Sequence, residues 1–441
     1  MRTICPRFLI VPLLFMAASV ALRGAGAPPV RPLLREIMGI NGHTVQFKPE
    51  LYKQVCRLAR DYHPLAWDIG SETNFAPRFP FARNRVDWEA VYGAWVREGF
   101  TVNPCVMFDT VEAKQWLDIP RDAFAYGLSF ARFFGPSGTQ RLAESIEIGN
   151  EPGTYEDGIY RAVFENMARG VRQGDPKMKI ATCAVTLGKS HRYAKSIECF
   201  EGLEGLYDVL SFHCYPEVEG WPTWRRSFPE DPSIPFLKEI RAMMEWRDAH
   251  APGKAVWLTE FGWDATTKPR PSTGDFARWE GSTETQQAQW LVRAFLVFAG
   301  IGLERAYIFF FDDNDEPRLH GSSGITRRFE PKPAFHALAH LYRTLGDHRF
   351  DAVRTEEPGN VYVYDFQKGS DPAEGVRVVW SPTGAGRTIE RSIPAPPGTI
   401  LGVERMPLKA GAAETVAYTN ADGRLTLSVT ESPVYIRFRR K

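Results

Sequence analysis

Ser145-Ile-Glu-Ile-Gly-Asn-Glu-Pro152 is a short, mostly apolar run that delivers a glutamate at its end and is stopped there by a proline. Ala255-Val-Trp-Leu-Thr-Glu-Phe-Gly-Trp263 repeats the pattern further along the chain. Comparable β-rich runs occupy 36–41, 65–70, 101–109, 179–187, 208–215 and 305–312, which makes eight with these two. Helical spacing of apolar residues fills the intervals, as in Leu51, Val55, Leu58 and Ala59, or Trp290, Ala294, Phe295 and Phe298. Strands alternating with helices imply right-handed βαβ units and a parallel sheet. A count of eight predicts closure into a (β/α)8 or TIM barrel whose helices form an outer ring.

The chain of 441 residues exceeds the ~250 that such a barrel typically takes, so a second domain is expected. Beyond Leu345 the pattern becomes period-two, with Val361-Tyr-Val-Tyr-Asp365, Val376-Arg-Val-Val-Trp380, Leu425-Thr-Leu-Ser-Val429 and Val434-Tyr-Ile-Arg-Phe438 separated by Gly, Pro and Asp turns. This predicts a small antiparallel β-sandwich over 347–441, after a barrel spanning 28–346. Residues 1–27 have the layout of a secretory signal peptide: Arg2 and Arg7, an apolar run over 8–22, then small residues at 24–27. A secreted or periplasmic protein follows, with no stable membrane insertion once the segment is removed.

Lys plus Arg number 54 against 53 Asp plus Glu, so no global field attracts nucleic acid, and none is expected as a partner. Removing the leader discards Cys5 and leaves Cys56, Cys105, Cys183, Cys199 and Cys214, an odd set that cannot all pair. Neither a disulfide framework nor a zinc site is expected. His336-Ala-Leu-Ala-His340 has a metal-compatible spacing but falls in the expected last barrel helix, away from the strand ends, and reads as structural. With no phosphate loop and no Gly-x-Ser-x-Gly elbow, the sequence predicts no cofactor and no metal.

Barrel chemistry gathers at the C-terminal ends of the strands. That rule selects Asn41 and His43, Asp68, Asp109, Asn150 and Glu151, His213 and Tyr215, Glu260 and Trp263, and Asp312. Asp and Asn also cap helices and hold turns, so Asp68, Asp109 and Asp312 have a purely structural reading. Glutamate is neither a preferred cap nor a preferred turn residue. Glu151 and Glu260, on the fourth and seventh strands, can face each other across the mouth, the arrangement that glycosidic bond cleavage uses.

Gly149-Asn-Glu-Pro152 together with Thr259-Glu-Phe-Gly-Trp263 resembles the strand 4 and strand 7 signatures of clan A retaining glycoside hydrolases, such as families 5, 39, 30 and 51. The resemblance covers about 36–345, and the His213-Cys-Tyr215 segment and trailing β domain extend it. It implies a carbohydrate substrate, β-linked at the clan level, with Glu151 as general acid and base and Glu260 as nucleophile. It further implies Asn150 at the sugar 2-hydroxyl, Tyr215 donating to the nucleophile, His213 lining the same subsite, and the Phe309-Phe-Phe311 run in place of a tryptophan platform. Many clan members carry an arginine near the end of strand 2. The predicted strand, Leu65-Ala-Trp-Asp-Ile-Gly70, has none, which leaves Arg78, Arg83 or Arg85 of the next loop as candidates.

The loop after strand 6 carries Trp221, Trp224, Arg225 and Arg226. The tryptophans can stack on sugar, and the arginines can fork onto uronate or sulfate. A glycan-binding protein that does not cut, or a transglycosylase using the same covalent intermediate, are the alternative readings.

Overall fold

The computed structural model describes residues 30–74 and 77–440. Eight strands form the barrel: β1 Met38–Gly42, β2 Leu58–Pro64, β3 Thr101–Met107, β4 Ser145–Ile148, β5 Lys179–Thr186, β6 Val209–His213, β7 Ala255–Phe261 and β8 Arg305–Ile308. Every neighbouring pair is parallel, β1 lies beside β8, and pairing of β4 with β5 completes the ring. Helices Ile119–Phe134 and Asp157–Gly174 approach so closely that a Cβ on Gly127 would lie 2.2 Å from the Met167 carbonyl oxygen. Only glycine fits there.

Seven predicted strands match the structure in place, and the second does not. Residues 65–70 are not a strand: Leu65–Ile69 is a short helix, and β2 is the preceding Leu58-Ala-Arg-Asp-Tyr-His-Pro64. The shift follows from what β2 carries. Its alternate positions Leu58, Arg60 and Tyr62 point along one face, and the polar members of that face serve the barrel interior.

At the N-terminal end of the barrel Leu58, Ala181, Val209, Trp257 and Tyr307 pack as one apolar layer. Above it the interior turns polar. On β7, Leu258 pairs with Phe212 and Ala306, whereas Glu260 pairs with His213 and Phe261 with Ile308, so β7 has one residue more than its neighbours over this stretch. Trp257 faces inward, and strict alternation would send Glu260 outward. The extra residue resets the parity: Glu260 faces in, and Phe261 packs outward on Phe295 and Phe298 of helix Glu284–Ile301.

After helix Pro333–Leu345 the chain is entirely β: β9 His348–Glu357, β10 Val361–Lys368, β11 Glu374–Trp380, β12 Ile389–Pro394, β13 Thr399–Arg405, β14 Glu414–Thr415, β15 Tyr418–Ala421, β16 Arg424–Val429 and β17 Val434–Arg439. One sheet runs β9-β10-β11-β17-β13-β14 and the other β12-β16-β15, all antiparallel. The alternation in β10 has two buried destinations. Val361 and Val363 join the inter-sheet core with Leu425, Leu427 and Ile436, while Tyr362 and Tyr364 join the core of the barrel. Barrel and sandwich thus share apolar packing, and Pro32–Lys441 is one compact unit.

Cys56, Cys105, Cys183, Cys199 and Cys214 are all buried and free. The predicted leader lies outside the described residues. Among those described, no helix is long and apolar enough to cross a membrane.

Candidate active site

Arg60 on β2 lies at the centre of the polar layer, fully buried. Its Nε and Nη2 fork onto the buried Glu147 carboxylate at 2.7 and 2.9 Å, Nη1 donates to Asn41 Oδ1 at 2.8 Å and Glu260 Oε1 at 3.2 Å, and Nη2 also reaches Asn150 Oδ1 at 2.8 Å. A buried guanidinium survives only if its charge and donors are satisfied, and Glu147 supplies the compensating charge. Strands 1, 2, 4 and 7 are thereby tied together by one side chain. Asn41 adds a further link, donating to the Thr259 carbonyl at 2.9 Å.

Glu260 is 6% exposed and receives hydrogen bonds from Tyr62 at 2.7 Å on Oε1 and Tyr215 at 2.9 Å on Oε2. Burial opposes its ionisation, but the charges of His213 and Arg60 and the two tyrosine donors outweigh that and hold its pKa below the ordinary carboxylate value. Burial and the adjacent Glu260 charge push both tyrosines well above their usual range, so they remain O–H donors. Arg226, buried, lies 4.2 Å above the Tyr215 ring and braces it.

Glu151 follows the turn at Gly149, whose φ of +95° redirects the chain from β4 toward the mouth. His213 at the end of β6 bonds Glu151 Oε1 through Nδ1 at 2.8 Å and lies 3.6 Å from Glu260 Oε2. Burial works against a charged imidazole here, yet Glu260 and Glu151 raise its pKa overall. The two glutamates and His213 present atoms all within 4.8 Å of one another. That trio could geometrically surround a cation, but both oxygens of Glu260 already accept hydrogen bonds and the raised pKa of His213 favours a proton on its ring. The Glu151 side chain is 27% exposed against 7% for Glu260, so the two carboxylates, although adjacent, have different access to water.

Other predicted site residues divide. Asn150 and Tyr215 join the cluster, and Asp109, in the turn Phe108–Thr110 after β3, has its pKa raised by burial and, secondarily, by the charge of Glu151. Asp68 does not join it: buried at 1% exposure, it is consumed by His63 at 2.7 Å, Tyr126 at 2.7 Å and Trp88 at 2.8 Å, because in the short helix that follows β2 its carboxylate is turned toward the outer helices. Trp263 is also corrected. It is buried against Phe236, Phe261 and Trp290 with its indole N–H on the Ser227 carbonyl, since the residues after β7 turn outward into the core. Asp312 holds a loop through Thr326 and the Phe329 N–H. His43 is exposed, 6.1 Å from the Tyr62 ring.

On the loop after β6, Trp221 is exposed and Trp224 half-buried. Arg226 is buried and engaged with Asp264 at 3.4 Å and the Gly262 carbonyl at 3.0 Å, so it does not stand free for a substrate anion, while Arg225 is exposed, 3.6 Å from Glu280. Phe309 lies edge-on to Tyr62 with centroids 6.4 Å apart, while Phe311 stacks on Tyr52 in the core. His340 is buried against Tyr435 at the junction with the sandwich, far from any ligand cluster of the described residues. Arg60, Tyr62 and Glu147 were not anticipated from sequence. The signal was present as the alternation Leu58-x-Arg60-x-Tyr62 in a run ended by Pro64.

The fold and site define a class: a (β/α)8 barrel with a C-terminal β-sandwich and glutamates at the ends of its fourth and seventh strands. No protein-family model matches the sequence, and no curated protein matches it. Solved structures similar to it include a family 39 glycoside hydrolase from Bacteroides cellulosilyticus WH2, with a TM-score of 0.65 and 17% identity over 93% of this chain and 83% of that one. A glucosidase from Croceicoccus marinus gives 0.64 and 12% over 94% and 98%. A family 30 subfamily 8 xylanase from Clostridium acetobutylicum gives 0.57 and 13% over 92% and 97%.

Proposed function

We propose that the protein is a secreted, retaining clan A glycoside hydrolase that cleaves β-linked oligo- or polysaccharide by double displacement. The observation that carries this is the pair Glu151 and Glu260, with oxygens within 4.8 Å in unlike surroundings. Retaining enzymes hold their carboxyls about 5–5.5 Å apart, whereas inverting ones leave room for a water at about 6.5–9.5 Å. Structural neighbours acting on glycosides support the same reading.

Glu260, kept ionised by His213, Arg60, Tyr62 and Tyr215, attacks the anomeric carbon. Glu151 gives its proton to the leaving oxygen, then takes one from the water that hydrolyses the glycosyl ester. His213 orients Glu151 through one carboxylate oxygen, leaving the other for the leaving group. Its greater exposure suits the partner that must admit water. Export rests on the leader-like residues 1–27 and accords with the carbohydrate chemistry.

Glu260→Ala is expected to abolish hydrolysis of an activated aryl glycoside and, with azide, to yield the inverted glycosyl azide. Turnover like that of the wild type would remove the nucleophile assignment. Glu151→Ala should lose most on poor leaving groups; equal losses on good and poor ones would count against its acid role.

A further inference from the structure

Exposed large apolar side chains of the barrel are distributed unevenly. Among the described residues Trp67, Phe81, Tyr193 and Trp221 are 37%, 62%, 50% and 69% exposed, and all four sit on segments leaving the C-terminal ends of strands. The exposed aliphatics Val45, Leu117 and Leu187 do so too. Val30, also exposed, precedes β1, but none of the four aromatics lies on the long outer helices. Single exposed apolar residues need no explanation, but their confinement to the pole that holds the glutamates does.

Their positions around the ring matter more than their number. Trp67 and Phe81 follow β2, and Trp221 follows β6. In a closed ring of eight those strands stand four apart, on opposite rims of the mouth. Tyr193 follows β5, on a turn that packs against the segment after the acid. A Cβ on Gly153 would come within 2.1 Å of the Arg192 carbonyl oxygen, so the turn His191–Ala194 rests directly on the backbone two residues past Glu151. The leaving oxygen departs on the Glu151 side. Exposed aromatic residues therefore stand on segments at opposite sides of the mouth that holds Glu151 and Glu260.

Sugar rings present flat C–H faces that pack on aromatic rings, and a platform on each side of the scissile bond holds a chain by its interior. We propose that the mouth is an open, polymer-binding groove with Trp67 and Phe81 on one rim and Tyr193 and Trp221 on the other, and that the protein cleaves linear polysaccharide internally. The inference rests on the hydrolase reading for the cut, but not for the binding.

Two measurements separate the two. Glu260→Gln is titrated with cello-, xylo- and laminari-oligosaccharides of two to six units, and affinity should rise at least tenfold with length for one series. Phe81→Ala and Trp221→Ala, each in that background, should flatten the rise at least fivefold, and circular dichroism checks that they fold. The wild type acting on the matching polymer should release a ladder of sizes at the earliest times. Affinity independent of length, both alanine variants keeping the full length dependence, or release of terminal units alone overturns the inference. So does binding to none of the glycans, including the case in which the protein sediments with phosphatidylcholine vesicles instead. Length-dependent binding without cleavage by the wild type would sustain the groove and end the hydrolase reading.

Discussion

Burial ordinarily forces a carboxylate toward its neutral form, and Glu260 resists through His213, Arg60, Tyr62 and Tyr215. Removing one donor must then raise its pKa. Tyr62→Phe and Tyr215→Phe are expected each to move the acid limb of the kcat/KM profile to higher pH by about one unit, the worth of a hydrogen bond to a charged group. An unmoved acid limb in both would show that neither donor controls the nucleophile. Arg60 makes a different test, because Glu147 depends on it at 0% exposure. Arg60→Met leaves that charge buried and unpaired, at a cost of about 3–5 kcal/mol in urea denaturation. The double variant Arg60→Met with Glu147→Met should regain most of the stability and none of the activity, since Glu260 and Asn150 still lack their donor.

At the scale of elements, the strand ends aim the chemistry, and they are also where the sequence was hardest to read. Strands β4 and β7 were legible because their glutamates end apolar runs. Strand β2 was hidden for two reasons. Its inward positions carry Arg60 and Tyr62 for the site, and the helical spacing of Leu51 and Val55 in helix Pro49–Val55 runs on through Leu58 and Ala59 without a break. The apolar Leu65-Ala-Trp-Asp-Ile69 took its place as the expected strand, carrying Asp68 with it. Local pattern fails where function overrides it. The bulge in β7 was equally invisible, since one extra residue leaves no compositional trace. Gly149 tests this scale. Its φ of +95° is strained for any side chain, and a Cβ would meet Phe108 at 3.0 Å and Cys183 at 3.2 Å. Gly149→Ala is expected to cost about 1–3 kcal/mol. By displacing Asn150 and Glu151 it should also lower kcat about 10–100-fold with little change in far-ultraviolet circular dichroism. Unchanged kcat would mean that the turn does not set the position of the acid.

Over the whole molecule, stability and activity should respond to acid through different places. Burial holds His340, at the end of the barrel, and His348, at the start of the sandwich, at pKa values of about 4. Arg343 and Arg437 assist at His340, outweighing Glu404 at 3.6 Å, whose side chain is 26% exposed. Lys368 assists at His348. An unfolded histidine titrates near 6.5, so between about 6.5 and 4 the unfolded chain binds protons that the folded one refuses. Stability therefore falls as pH drops through that window and levels off below it, by on the order of 1–3 kcal/mol for each histidine. Glu260, whose pKa is lowered, remains ionised across much of the same range. Loss of activity on prolonged incubation near pH 4.5 is thus expected to come from opening of the barrel–sandwich junction, with initial rates at that pH still substantial. Melting temperatures from pH 7 to 4 should decline in the wild type, and the decline should be shallower in His340→Gln, which keeps a polar side chain at the position but cannot take up the proton. Equal slopes in the two proteins would locate the acid sensitivity elsewhere.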